Sequence, residues 1–106
     1  MREATFLILT ALADEPRHGY GIIQDVAVLS GGRVTLLPGT LYAALDRLVA
    51  QGWVELSHEQ VIDGRLRRYY RLRADGRTAL ARQTERLRQL ASAAESRLRA
   101  LRPELA

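Results

Sequence analysis

Arginine and tyrosine side chains cluster in one short segment of this 106-residue chain. The segment reads Gly64-Arg65-Leu66-Arg67-Arg68-Tyr69-Tyr70-Arg71-Leu72. Guanidinium groups neutralise phosphates, while tyrosine hydroxyls contact phosphate and sugar, so this combination favours binding to a nucleic-acid backbone. Arg65 and Arg67 lie nearest the preceding Asp63-Gly64 pair and should reach furthest. A solvated, arginine-rich surface remains the alternative.

A second candidate is the segment Pro38-Gly39-Thr40-Leu41-Tyr42, which has the composition of a helix start. Proline is favoured in the first turn of a helix, where the free N–H groups and the positive helix end attract phosphate. Gly39 allows close backbone approach, Thr40 offers a hydroxyl, and Tyr42 offers a ring for a thymine methyl or a sugar. Alternatively, these residues only cap the helix and Tyr42 belongs to the core.

The charge distribution is uneven along the chain. All 16 basic residues are arginine, and with 12 acidic residues they give a net charge of +4. Residues 1–64 hold four arginines and eight acids, whereas residues 65–88 hold nine arginines and two acids. The modest total therefore hides a strongly basic segment, which is typical of a polyanion-binding surface.

The composition excludes several classes of function. The chain has no cysteine and two widely separated histidines, so thiol chemistry and a metal site within one chain are not expected. No serine–histidine–carboxylate arrangement or phosphate-cradling glycine loop occurs, so we expect neither an enzyme nor a cofactor. The longest apolar run, Phe6 to Leu9, is too short for a membrane span, and no convincing signal peptide opens the chain. A cytoplasmic location is expected.

The elements that must position these side chains follow in the order helix, helix, helix, hairpin, long helix. Apolar spacing predicts helices over residues 5–13, from about 18 to 29, from 38 to a cap at Gly52, and from 75 to about 102. Two extended runs, 53–58 and 66–72, flank the hairpin signal Asp63-Gly64. A short extended piece is also expected at 33–36.

The long last helix carries a seven-residue repeat of apolar side chains. One series is Leu80, Leu87, Ala94 and Leu101, and the interleaved series is Thr84, Ala91, Leu98 and Leu105. Such a seam on a long helix needs a partner surface, and a second copy of the chain is the expected partner. The alternative is that the seam packs back on its own domain.

Three helices followed by a basic two-stranded hairpin are typical of a winged helix-turn-helix, whose third helix enters the major groove. The predicted fold is therefore mainly α (α+β). It comprises a DNA-binding domain over residues 1–74 and a dimerisation helix over residues 75–106.

At these residues the chain resembles the PadR family of bacterial transcriptional regulators. The matching pieces are His18-Gly19-Tyr20, Pro38 to Tyr42, Leu45 with Arg47-Leu48 and Gly52, Gly64 to Leu72, and Gly76-Arg77. The resemblance implies a homodimeric repressor that binds double-stranded DNA at a partly palindromic operator. It assigns the DNA contacts to Pro38, Gly39, Thr40, Tyr42, Arg65, Arg67 and Arg68. The rival interpretation is a winged-helix protein-interaction module that uses the seam and does not bind specific DNA.

The chain also departs from the family pattern. Leu37 stands where a capping serine is usual, so one helix-start contact is weakened. The resemblance implies a small aromatic effector in some members, in which a tryptophan of the last helix stacks on the ligand. Here the last helix has no aromatic residue. A small aromatic effector that releases the protein from DNA therefore stays among the expectations, but without the stacking residue that those members use.

Overall fold

The computed structural model describes residues 1–101, and within this range the chain forms four helices and a three-stranded sheet. The elements in chain order are α1 (Glu3–Ala11), β1 (Arg17–His18), α2 (Gly19–Leu29), α3 (Pro38–Ala50), β2 (Val54–Ile62), β3 (Arg65–Leu72) and α4 (Ala74–Leu101). This is the predicted winged helix, with the three helices, the hairpin and the long last helix in the expected order. No helix within residues 1–101 is both long and apolar enough to cross a membrane.

The core lies where α1, α2 and α3 meet the base of the hairpin. Helix α1 has apolar side chains nearly all round and is buried accordingly. Along α3, the apolar side chains of Leu41, Ala44, Leu45 and Leu48 are buried in the core, whereas Val49 is exposed. The buried side chains come from every one of these elements: Leu7, Ile8, Leu9, Ala11, Leu12, Ile22, Val26, Leu36, Leu41, Ala44, Leu45, Leu48, Val54 and Leu72.

The hairpin of β2 and β3, here called the wing, turns at the predicted Asp63-Gly64 pair. Both residues have positive φ, 52° and 76°, which suits the tight turn that joins twisted antiparallel strands. The strands pair from Ile62 with Arg65 down to Val54 with Leu72, and a bulge lies between Leu56 and His58. The hairpin is longer than predicted, because residues 59–62 of β2 continue the pairing beyond the 53–58 run.

The extended piece expected at 33–36 is not a strand. The Val34 N–H donates to the Ser30 hydroxyl at 3.0 Å, so the chain folds back on the end of α2. The third strand is instead β1, which pairs Arg17 with Tyr70 and His18 with Tyr69. A two-residue strand has no sequence period of its own, because its pairing is set by the β3 backbone beside it.

Helix α4 gives the molecule its length of 61 Å, against 27 Å and 21 Å in the other directions. Its first turns are attached to the domain: Gly76 is buried and Leu80 packs against the core. The remaining turns to Leu101 are exposed. The seam position Leu105 lies outside the described residues.

Candidate nucleic-acid interface

Helix α3 begins at the surface with free backbone donors. Its N-cap is Leu37, which makes no side-chain capping bond, and Pro38 at the first position has no N–H to satisfy. The Leu41 N–H bonds back to the Leu37 carbonyl at 3.0 Å. The Gly39 and Thr40 N–H groups therefore point out of the helix end without a capping side chain. This is the geometry that binds phosphate oxygens.

The exposed half of α3 has a small-residue centre with larger side chains on either side. Gly39 and Ala43 lie along the middle, and nothing lies within 4 Å of the position where a Gly39 Cβ would stand. On the side toward the hairpin, Tyr42, Asp46 and Val49 follow one another at helical spacing. A small centre lets the helix backbone approach a flat or grooved partner closely.

Tyr42 packs on the start of α2. A Cβ on Gly19 would overlap the Tyr42 hydroxyl and lie 2.8 Å from its Cζ, so the ring rests directly on the α2 backbone. Tyr42 nevertheless remains 46% exposed. The Tyr42 ring is thus fixed against Gly19 on one side and exposed to solvent on the other. Tyr42 therefore packs within the domain and also offers a surface to a partner, the two alternatives considered from the sequence.

A groove of about 720 Å³ connects α3 with the hairpin, and we call it the wing groove. Its lining joins the start of α2, one side chain of α3 and the first half of β3: His18, Gly19, Tyr20, Tyr42, Arg65, Leu66, Arg67 and Arg68. Four of the seven residues that the family resemblance assigned to DNA thus meet in one groove. The other three, Pro38, Gly39 and Thr40, lie at the exposed start of α3.

Ion pairing divides the arginines of the domain into two groups. Arg71 and Arg73 lie 3.1 Å and 3.4 Å from the Glu55 carboxylate, so they are partly neutralised at the base of the hairpin. Arg17 is held by three carboxylates and by the Ala11 carbonyl. In contrast, the three arginines nearest the hairpin tip form no ion pair within residues 1–101: Arg65, Arg67 and Arg68.

Tyr69 is stacked between two histidine rings, of which His18 also lines the wing groove. Its ring centroid lies 5.3 Å from that of His18 and 4.4 Å from that of His58. The stack ties β1 to both strands of the hairpin. Burial, and then the positive charge of Arg67, lower the pKa of His18 below its ordinary value of 6.5. Tyr69 thus has a structural role in holding the sheet together. His18 precedes the first residue of α2 and forms part of the groove wall.

Sequence reasoning missed Tyr20 as a candidate. It is 63% exposed and lines the wing groove. The signal was present in the His18-Gly19-Tyr20 motif, whose position relative to the hairpin depends on the unforeseen strand β1. No cluster of three or more histidine or carboxylate side chains suited to a metal ion occurs within residues 1–101.

The residues predicted for dimerisation fall into two groups on α4. Leu80 is partly buried against the core of its own domain. The alternative interpretation, in which the seam packs back on its own domain, therefore applies to Leu80. The others form an exposed row along the free part of the helix: Leu87, Ala91, Ala94, Leu98 and Leu101. Leu90, which is outside the seven-residue series, is 58% exposed and lies beside them at helical spacing. Their role in dimerisation stays a prediction.

Comparison with known structures supports the fold. A PadR family transcription regulator from Clostridium difficile superposes with a TM-score of 0.76 at 23% identity, covering 92% of this chain and 99% of that one. Bacillus subtilis PadR, solved in complex with operator DNA, gives a TM-score of 0.69 at 19% identity, covering 78% of this chain and 47% of that one. At these identities the likeness concerns the fold.

Sequence comparison identifies the family. A transcriptional regulator of Mycobacterium tuberculosis, Rv3488, is 43% identical over 84 residues, which are 79% of this chain and 75% of that protein. An uncharacterised 37.1 kDa protein of a Streptomyces fradiae transposon is 41% identical over 88 residues, 83% of this chain but 24% of that protein. The sequence pattern of the transcriptional regulator PadR-like family matches residues 8–82. Together with the winged-helix fold, these matches show that the chain belongs to the PadR-like family of transcriptional regulators, which are not enzymes.

Proposed function

We propose that this regulator binds a partly palindromic operator as a homodimer in the cytoplasm and represses the adjoining gene. The observation that carries the proposal is the wing groove. It places Tyr42 of α3 beside three arginines that no carboxylate neutralises within the described residues. The same helix opens with free N–H groups at Gly39 and Thr40. A duplex offers bases to the helix and phosphates to the arginines at the same time.

The two parts of the surface have different tasks in this proposal. Helix α3 enters the major groove, where its small centre allows close approach and the Ala43 methyl can contact a thymine methyl. Tyr42 borders that centre, on the side of the wing. Arg65, Arg67 and Arg68 contact phosphates, which fixes the position of the protein without reading sequence. Discrimination between sequences is thus assigned to α3 and affinity to the wing.

Dimerisation is assigned to the exposed apolar row of α4. Leucine side chains there are between 40% exposed, at Leu87, and 79% exposed, at Leu101. A long row of exposed leucine and alanine is unfavourable in water and marks an interaction surface. A second copy of the chain would cover this row with the same row, as in a two-fold interface. The two α3 helices would then meet successive major grooves about 34 Å apart.

The proposal does not include an effector that stacks on α4, because no aromatic residue occurs there. Repression follows from the simplest consequence of binding, since a dimer on a promoter occupies DNA that the polymerase needs. The rival is a protein-interaction module, in which the α4 row binds another protein and the wing is a solvated surface.

Footprinting on the DNA upstream of the gene tests the proposal directly. We expect protection of a two-fold-related sequence whose halves are one helical turn apart. Protection without two-fold symmetry would contradict the dimeric arrangement. No protection, together with equal and weak binding to every duplex, would favour the interaction module.

Variants of the wing test the assignment of affinity. We expect Arg67→Gln with Arg68→Gln to weaken binding to operator and mixed-sequence duplexes alike. The slope of log affinity against log salt concentration should also become shallower, by about 0.9 for each lost phosphate contact. The matched control is Arg88→Gln with Arg99→Gln. Those two arginines pair with glutamates of α4 itself, at 3.9 Å and 3.7 Å. An unchanged slope in the wing variant would remove the wing from the DNA interface.

A further inference from the structure

A second groove lies on the other side of α3, between that helix and the start of α1. Its volume is about 440 Å³, and we call it the α1–α3 groove. Apolar side chains of the core form its floor, among them Ile8 and Leu36. Its polar rim is built from two arginines and two threonines: Arg2, Thr5, Thr40 and Arg47. None of the rim residues from α1 carried a functional prediction from the sequence.

The two arginines of this groove carry charge that the protein does not neutralise. Arg2 and Arg47 form no ion pair and no side-chain hydrogen bond within residues 1–101. The carboxylate next to Arg2 in the chain, Glu3, is engaged elsewhere, because Arg33 lies 3.4 Å from it. The groove therefore has two free positive charges in the part of the domain whose net charge is otherwise acidic.

The position of these charges relative to α3 indicates their partner. Tyr42 and Asp46 face the wing, whereas Thr40 and Arg47 lie on the opposite flank of the same helix, with Gly39 and Ala43 between the two flanks. A helix about 10–12 Å across fills a major groove about 12 Å wide, and a phosphate backbone borders that groove on each side. A wing on one flank reaches one strand, so charges on the other flank face the opposite strand.

We propose that Arg2 and Arg47 form a second phosphate clamp, which holds the DNA strand across the major groove from the wing. The clamp extends the proposed DNA-binding function and rests on it. The two guanidinium groups supply the charge, and the Thr5 and Thr40 hydroxyls and the Thr40 N–H supply neutral donors at the same rim. Helix α3 is thereby fastened to both strands. The family resemblance, in contrast, assigned the DNA contacts only to the start of α3, to the flank of α3 that faces the wing, and to the wing itself.

The test compares three double variants by fluorescence anisotropy between 50 and 200 mM NaCl. Two fluorescein-labelled 40-base-pair duplexes serve as probes, one of mixed sequence and one that contains the footprinted operator. The clamp variant is Arg2→Gln with Arg47→Gln, the wing variant carries Arg67→Gln with Arg68→Gln, and the control carries Arg88→Gln with Arg99→Gln. Arg2 makes no side-chain capping bond to α1, so its replacement leaves that helix start intact. Urea midpoints of all three variants verify folding.

Losing two phosphate contacts lowers the logarithmic salt slope by about 1.8 for each protomer. The affinity ratio between 50 and 200 mM NaCl then falls about tenfold for one protomer and on the order of a hundredfold for a dimer that engages both. We expect this result for the clamp variant and no change for the control. A clamp variant that binds like the control while the wing variant is weakened would overturn the clamp and leave the proposed function standing. A loss confined to the footprinted operator would also overturn it, because Arg47 would then read a base. If the unaltered protein binds neither duplex, the proposed function itself fails.

Discussion

The contact between the start of α4 and the chain before β2 depends on the absence of a side chain at Gly76. A Cβ at this position would overlap the Trp53 carbonyl oxygen and lie 3.0 Å from its carbon and 3.2 Å from Cα of the same residue. That carbonyl also accepts the Arg73 N–H at 2.9 Å. The obstacle is backbone rather than the end of a flexible side chain, so neither partner can move aside without displacing α4 or the start of β2.

We therefore expect Gly76→Ala to destabilise the fold. Overpacking of this kind costs about 1–3 kcal/mol, and weakening the bond between Trp53 and Arg73 costs about 0.5–1.5 kcal/mol. Alanine returns up to about 1 kcal/mol through its better helix propensity. The net expectation is a loss of about 1–3 kcal/mol in the free energy of unfolding, from the sum of these contributions.

Urea denaturation at one fixed protomer concentration measures this loss. The matched control is Gly39→Ala, a helical glycine with nothing within 4 Å of the added methyl, which should be neutral or stabilising by up to about 1 kcal/mol. If Gly76→Ala were as stable as the control, the close approach of α4 to Trp53 would be refuted, together with the rigid attachment of α4 that the half-site spacing requires.

Three further predictions concern the proposed dimer, His18 in the wall of the wing groove, and Tyr42 on α3. Leu87→Arg should give monomers by analytical ultracentrifugation at micromolar concentration, because it places a charge in the middle of the apolar row; a stable dimer would exclude that row. Because the pKa of His18 is lowered in the fold, the free energy of unfolding should fall as the pH drops below 6.5, where the unfolded chain takes up the proton first. His18→Gln should reduce the difference in the free energy of unfolding between pH 7.5 and pH 5.5, measured by denaturation. A difference as large as that of the unaltered protein would show that another group causes the loss of stability. Gly19→Ala should push Tyr42 off α2 and reduce discrimination between operator and mixed-sequence DNA by about fivefold or more, the effect of one lost base contact. Unchanged discrimination would remove Tyr42 from the reading surface.

Local chemistry was enough to predict most of the fold. Pro38 at a helix start and Asp63-Gly64 at a hairpin each act within a few residues, so their consequences can be read without knowing the rest of the chain. The seven-residue series likewise indicated the long helix. The same series could not show that Leu80 turns inward while Leu90 joins the exposed row. Which part of an apolar stripe is covered depends on where the domain ends along the helix.

The sequence predicts which residues belong to the candidate site, but not which side chains lie next to one another there. Arg65, Arg67 and Arg68 were separated from Arg71 and Arg73 only by the pairing of β2 with β3, which places Glu55 beside the latter two. Tyr20 reached the wing groove through β1, a strand too short to have a pattern. The α1–α3 groove joins side chains 45 positions apart in the chain, Arg2 and Arg47. Such long-range meetings are decided by tertiary packing, which local propensity does not encode.

If the proposed homodimer forms through α4, the exposed outer turns of this helix would make DNA binding sensitive to the amount of protein. If one chain reads half a site and pairing depends on an otherwise exposed helix, mass action ties operator occupancy to the amount of protein. Below the dimer dissociation constant the dimer population varies with the square of the protomer concentration, so halving the protein removes about three quarters of the dimer. A cell that stops making the protein and divides once would thus lose most of its dimer. In that regime, synthesis rate and growth rate would act as the inducing signals, with no small molecule required.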